Sequence, residues 1–299
     1  MEHTPPIVVP RVTRPTAATT LYYAVHGYHA ALTIPDRAAR SLARSILRGF
    51  GPLPAAPDES VTDFALRHAD RAQWEVTVAD QIVYRSTGLV DAVAALEWQL
   101  ITNVLADQRH SFHLHAAALA SPATRTALLI VGESGSGKTT LTLGLMARGF
   151  LPYNDDITLI APATCAPLPF RRAFHVDART QALVTALPSS PPWDVGGAPA
   201  GYFLVSDWAT ASWPIRTVLF PRLAPGEMPR LDPLSVTDAA LRLLTFSMTL
   251  SQSSALALQA AGRIVERAQC SMLVSGDLAA TLDLVIDQVV RDHGRRDRS

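Results

Sequence analysis

From Leu21 to Ile34 apolar positions dominate the chain, broken at His26-Gly27 and His29. LYYAVHGYHAALTI, Leu21 to Ile34, is rich in aromatic and β-branched residues and predicts a strand or hairpin. DRAARSLARSILRGFG then switches to helical spacing, with Asp36 placed to cap the first turn and Gly51 placed to end the helix. A Pro-rich loop, GPLPAAPDES, leads to DFALRHA and WEVTVADQIVYRS, where Ala79-Asp80-Gln81 reads as a hairpin turn. LVDAVAALEWQLITNVLADQ, Leu89 to Gln108, carries the longest helical pattern of this half. The pattern predicts a small mixed α/β unit over residues 21–110 behind a flexible leader, 1–20.

The second half has a different rhythm. FHLHAAALA predicts a strand, SPATRT a polar turn, and ALLIV (Ala127 to Val131) a strand buried on both faces, because a continuous apolar run leaves no face for water. KTTLTLGLMAR is helical, with Gly149 where a C-cap glycine belongs, and DITLIA is extended. LPSSPPWDVGGAPAGY, Leu187 to Tyr202, predicts a long surface loop whose Trp193-Asp194 would close over a substrate or anchor the loop. PIRTVLFPRL predicts one more strand, and helical periodicity dominates Ser235 to Val290. These elements predict a second domain over 111–290, followed by a charged, solvated tail at 291–299.

Composition narrows the partners. The 299 residues suffice for one full α/β domain and a smaller unit, since domains run to about 100–200 residues. Lys plus Arg and Asp plus Glu both total 26, so no overall field draws the chain to nucleic acid or to an anionic membrane. A small molecule or a particular protein is the expected partner. Cys165 and Cys270 are too few and too far apart for a disulfide framework or a zinc site. The opening MEHTPPIVVPRVTRPTAATT has no apolar run behind a basic start, and no window is expected to reach the roughly 18 apolar residues that span a membrane. A cytoplasmic location is the expectation.

Between the ALLIV strand and the KTTLTLGLMAR helix lies Gly132-Glu133-Ser134-Gly135-Ser136-Gly137-Lys138-Thr139, which fits GxxxxGK[ST]. Glycines let backbone N–H groups turn inward around phosphate, and the helix that follows points its positive end at the same anion. Lys138 supplies a point charge toward the β,γ-bridge, and the Thr139 hydroxyl holds Mg²⁺. Thr140 and Glu133 complete the candidate nucleotide-binding set, although each reads more simply as a helix or loop residue. The chain has no NKxD motif of a GTPase and no LSGGQ motif of an ABC-type ATPase. Asp155-Asp156 follows Tyr153-Asn154 and not an apolar run, so it is no ordinary Walker B strand end.

His115, GESGSGKTTLTLGLMARG and YNDDITLI together resemble HPr kinase/phosphorylase and, more closely, the smaller HPr kinase-related bacterial proteins. The specific resemblance covers residues 112 to 160, and the spacing from Lys138 to Asp155-Asp156 matches the family pattern. Ala116 stands where HPr kinases carry glycine, and Arg222 is the best candidate for the family's later arginine signature. The resemblance implies the P-loop kinase architecture shared with phosphoenolpyruvate carboxykinases, here with a smaller N-terminal α/β unit. It implies ATP and Mg²⁺ as cofactors, Asp155 as base, Asp156 as its metal-side partner, and His115 beside the base carboxylate. It further implies transfer of phosphate to a serine-type hydroxyl of a peptide or protein, with peptide natural-product precursors such as lasso peptides among the acceptors. HPr kinases are hexamers, which leaves a homo-oligomer open. Alternatives are a small-molecule hydroxyl kinase and a nucleotide-binding regulator that transfers nothing. His113, two residues from His115 and on the same strand face, competes with it, and Arg171, Arg172 and His175 in PFRRAFHVD form a small basic cluster that could meet a phosphate or an acidic peptide but reads more simply as a solvated basic face.

Overall fold

A computed structural model describes residues 19–69, 72–185 and 201–294. The expected leader up to residue 18, the loop with Trp193 and Asp194, and the last five residues of the tail lie outside the described residues. The chain divides into two compact units, one ending at Asp107 and the other beginning at Gln108.

In the first unit β1 (Thr20–Val25) and β2 (Tyr28–Thr33) form a hairpin that turns through His26 and Gly27 at positive φ. Asp36 caps α1 (Arg37–Ile46), its Oδ1 accepting from Ala39 N at 2.7 Å. Gly51 takes φ +69°, and a Cβ there would lie 2.5 Å from Ala24 O, so glycine is required. β3 (Pro52–Leu53), β4 (Thr62–His68), β5 (Trp74–Val78) and β6 (Gln81–Ser86) follow. Ala79 and Asp80 both have positive φ, as a tight two-residue hairpin turn needs. The sheet order is β3-β1-β2-β4-β5-β6. α2 (Leu89–Asp107) packs on the sheet through Val93, Leu96, Leu100 and Val104. Its 19 residues with mean hydropathy 1.3 make it, by length and composition, long and apolar enough to cross a bilayer, contrary to the expectation that no window would be. Periodic burial along one face is also how a core helix of a folded unit looks.

The second unit is built on β7 (Phe112–Ser121), β8 (Thr126–Val131), α3 (Lys138–Met146), β9 (Leu151–Asn154), β10 (Ile157–Ala161) and β11 (Ala166–Leu168). After these come β12 (Phe174–His175), α4 (Ala178–Thr185), β13 (Tyr202–Phe203), β14 (Ile215–Leu223) and β15 (Arg230–Pro233). α5 (Val236–Thr245), α6 (Ser254–Arg267), β16 (Gln269–Ser275) and α7 (Leu278–Gly294) complete it. The main sheet runs β11-β10-β7-β8-β14-β16-β15, with β8, β14 and β16 parallel at its centre and β9 also on β7. Helical periodicity expected throughout Ser235 to Val290 is interrupted by β16, which lies inside the sheet.

Side-chain alternation splits the core into two layers. Leu114, Ala116 and Ala118 of β7, Leu129 and Val131 of β8, and Val218 and Phe220 of β14 face α5 and α6. Ala117 and Leu119, Leu128 and Ile130, and Leu219 face α3 and α7. Alanines on both β7 and α6 (Ala257, Ala260, Ala261) allow close approach of helix to sheet. Both units are mixed α/β structures.

Candidate functional site

The buried strand β8 ends at Val131, and the chain turns through Gly135 (φ +81°) and Gly137 (φ +94°) before α3 starts at Lys138. Both glycines occupy the left-handed region, and Gly137 also lies against Leu223, whose Cδ2 would stand 3.2 Å from a Cβ. Lys138 is buried, with Nζ donating to Gly132 O at 2.9 Å and to Glu133 O at 3.0 Å. Burial lowers its pKa, and the charges of Asp156 and Asp155 act against that shift. Glu133 contributes through its backbone, for its side chain is exposed. Thr140 Oγ1 and Thr180 Oγ1 are 3.0 Å apart, which ties α3 to α4.

β9 and β10 are two parts of one interrupted strand along the same edge of β7, and Asp155-Asp156 occupies the break. Strand alternation therefore does not force the two carboxylates to opposite sides. Thr158 supports the break, donating from Oγ1 to Ala116 O at 2.8 Å. The register Ile157↔His115 brings His115 beside the preceding aspartate, so that His115 Nε2 lies 2.8 Å from Asp156 Oδ1. On its other side β7 is pinned by His115 N, which donates to Phe246 O at 2.9 Å. His113 is fully buried, with Nε2 2.9 Å from Gln108 O, and burial lowers its pKa. It is a core residue and takes no part in the carboxylate pair.

The two aspartates differ in environment. Asp155 is 3% exposed, and its Oδ2 accepts from Thr139 Oγ1 at 3.3 Å, whereas Oδ1 is buried with no hydrogen-bond partner. Burial pushes its carboxyl up to about 6, against the opposing charge of Arg172. Asp156 is 39% exposed and faces the cleft. Burial raises its pKa too, but the His115 bond and the charges of His115, Arg172 and Lys138 outweigh that and hold it below the ordinary range.

A cleft of about 560 Å³ joins these groups. Ser134, Gly135, Gly137, Lys138, Thr139, Thr140 and Asp156 form one wall; His175, Arg179 and Thr180 of the α4 region and Leu223, Ser275 and Leu278 form the others. The last three lie where β14 and β16 end and α7 begins, so the cleft opens at the carboxyl ends of parallel strands, where ligands bind in such sheets.

Two sequence expectations need correction. Arg222 is half exposed, its Nη1 lies 3.6 Å from Glu227 Oε1, and it is not among the residues that line the cleft. Its neighbour Leu223 lines the cleft instead. Of the PFRRAFHVD cluster, His175 is exposed and Arg171 half-buried, but Arg172 is no part of a solvated face: it is 6% exposed, and its Nη1 stands 3.7 Å from Asp156 Oδ2. The signal was the apolar pair Phe170 and Phe174 at period two around Arg172.

Among the described residues no three His, Cys, Asp or Glu side chains are grouped to hold a metal. The Thr139 hydroxyl and the buried Asp155 Oδ1 do fit Mg²⁺, which takes few protein oxygens and fills its shell with phosphate and water. A scan of protein-family models and a search of curated proteins each returned no match to the chain.

Proposed function

We propose that this chain is an ATP- and Mg²⁺-dependent kinase of the P-loop, HPr kinase-like type that phosphorylates a serine-type hydroxyl of a peptide or protein. A ribosomal peptide natural-product precursor is the favoured acceptor. One observation carries the reading: the GxxxxGK[ST] loop and Asp156 line one cleft, with Asp155 hydrogen-bonded to Thr139 and His115 to Asp156 just behind that wall.

The surroundings of the two carboxylates favour roles opposite to those the resemblance implies. Asp155, buried on Thr139, suits the metal, and Asp156, open to the cleft and bonded to His115, suits the base. Loop N–H groups and Lys138 bind and orient the triphosphate. Thr139 and Asp155 would hold Mg²⁺, which would supply neutralisation of phosphate charge. As the acceptor oxygen bonds to the γ-phosphorus and the bond to the ADP oxygen breaks, the hydroxyl proton passes to Asp156. The His115 bond fixes that carboxylate, which is ionised at neutral pH and so has a free oxygen lone pair for the proton.

The test is incubation with γ-labelled ATP, Mg²⁺ and serine-bearing candidate peptides, with mass spectrometry of the products. Lys138→Ala is expected to cost about 10²–10³ in transfer. Asp156→Asn is expected to cost about 10²–10⁴ while ATP·Mg²⁺ binding persists, and Asp155→Asn to raise the Mg²⁺ requirement. Undiminished turnover in all three variants would remove the reading. Labelled product on a small alcohol and on no peptide would move the acceptor class, and tight binding without transfer would leave a nucleotide-binding regulator.

A further inference from the structure

Arg172 stands behind the acid pair in a position that the phosphate loop does not explain. It arrives from the connection between β11 and β12, fixed two residues to either side. Phe170 is fully buried, with its N donating to Tyr153 O at 3.1 Å, and fully buried Phe174 pairs with Phe203 in the β12–β13 ribbon. Between these anchors the guanidinium has little room to wander. Its Nη1 lies 3.7 Å from Asp156 Oδ2, while His115 Nε2 lies 2.8 Å and Lys138 Nζ 3.9 Å from Asp156 Oδ1. The carboxylate is therefore approached at each oxygen by a group from a different element. The Arg172 charge also acts on Asp155, so one cation faces both carboxylates.

Burying a guanidinium costs several kcal/mol unless its charge is answered, and a basic surface cluster has no cause to incur that cost. At 3.7 Å the contact is an ion pair and not a hydrogen bond, so the guanidinium acts on the carboxylate through its charge and its fixed place, which a lysine on a flexible stem reproduces only in part. Lys138 is the movable member of the set, because incoming phosphates compete for its ammonium.

We propose that Arg172 is a positioning residue: it holds the Asp156 carboxylate against rotation, so that the His115 bond and the oxygen face turned to the cleft survive when phosphate draws Lys138 away. The catalytic consequence rests on the kinase reading; the positioning itself does not.

The experiment uses the full chain labelled with ¹⁵N-histidine, the His115 ring resonances being assigned through His115→Gln. In Arg172→Met those resonances are expected to move toward their positions in Asp156→Asn, with Arg172→Lys intermediate. In parallel, kcat of Arg172→Met falls about 10–10²-fold, the cost of a misplaced catalytic group, with KM for ATP within about threefold of the parent. Added guanidinium restores part of kcat to Arg172→Ala. His115 resonances that stay in place in Arg172→Met overturn the proposal, as does a kcat equal to the parent's. If Arg172→Met fails to fold, the same resonances in Arg172→Lys decide. If the parent transfers no phosphate, the kinase reading falls and the resonance comparison still decides for or against Arg172.

Discussion

At Asp155 burial and neighbouring charge pull in opposite directions, and burial prevails. Burial pushes the carboxyl, beside Arg172, Asp156, His175 and Thr139, up to about 6 from an ordinary value of 3.8. A pKa raised by folding means that its contribution to stability is fully present below the unfolded value and is lost as pH rises through the folded one. Above about pH 6 the metal-free protein thus carries a cost on the order of 1–3 kcal/mol at this one residue. Asp155→Asn removes the titration. Its melting temperature relative to the parent should rise by several degrees between pH 5 and pH 8, at about 2–4 °C per kcal/mol for a unit of this size. A difference that is flat with pH would show that Asp155 is not desolvated as described. At this scale the sequence marked the groups that lie together where they were contiguous: GESGSGKT forms the glycine turn at one wall of the cleft, and the resemblance to HPr kinases singles out the acid pair. Arg172 is legible only through Phe170 and Phe174 at period two, against two adjacent arginines and a histidine that have the composition of a wet surface. Nor does spacing tell which aspartate meets Thr139 and which meets His115.

The element that presents the loop, α3, is held by close packing against α7. Gly144 has no room for a methyl group: a Cβ would lie 2.8 Å and 2.9 Å from the two Cδ atoms of fully buried Leu282. Gly144→Ala gains about 1 kcal/mol in helix propensity but incurs overpacking of typically 1–3 kcal/mol. The net expectation is a loss of up to about 2 kcal/mol, read as a lower urea midpoint at unchanged slope. Leu282→Ala in the same chain should relieve the clash, so the double variant loses less than the sum of the singles. Strict additivity would mean that the helices part without cost. Long periodic elements such as α2, and strands flanked by clear turns such as β7 and β8, were readable from pattern. β16 was not, since seven residues between two longer helices carry too short a period to stand out. The two-residue strands β12 and β13 exist only because they pair with each other, which sequence does not encode locally.

For the molecule as a whole, the division after Asp107 sets how ligand energy spreads. Each unit has its own sheet, and every group that lines the cleft belongs to the second. A ligand that binds only the folded second unit stabilises it by RT ln(1 + [L]/Kd), about 4 kcal/mol at a thousandfold excess over Kd. That energy reaches the first unit only if the two unfold together. Amide hydrogen exchange with and without ATP·Mg²⁺ separates the cases, because protection reports the free energy of each opening unit. Slower exchange is expected in β7, β8, α3 and the β9–β10 break, and unchanged exchange in β1 to β6 and α2. A matching rise in both units would show a single cooperative block and would remove the picture of an independent first unit. No change in either, at ATP concentrations that saturate binding by another probe, would mean that nucleotide does not engage the Gly132–Thr139 loop at all, and the kinase reading would go with it.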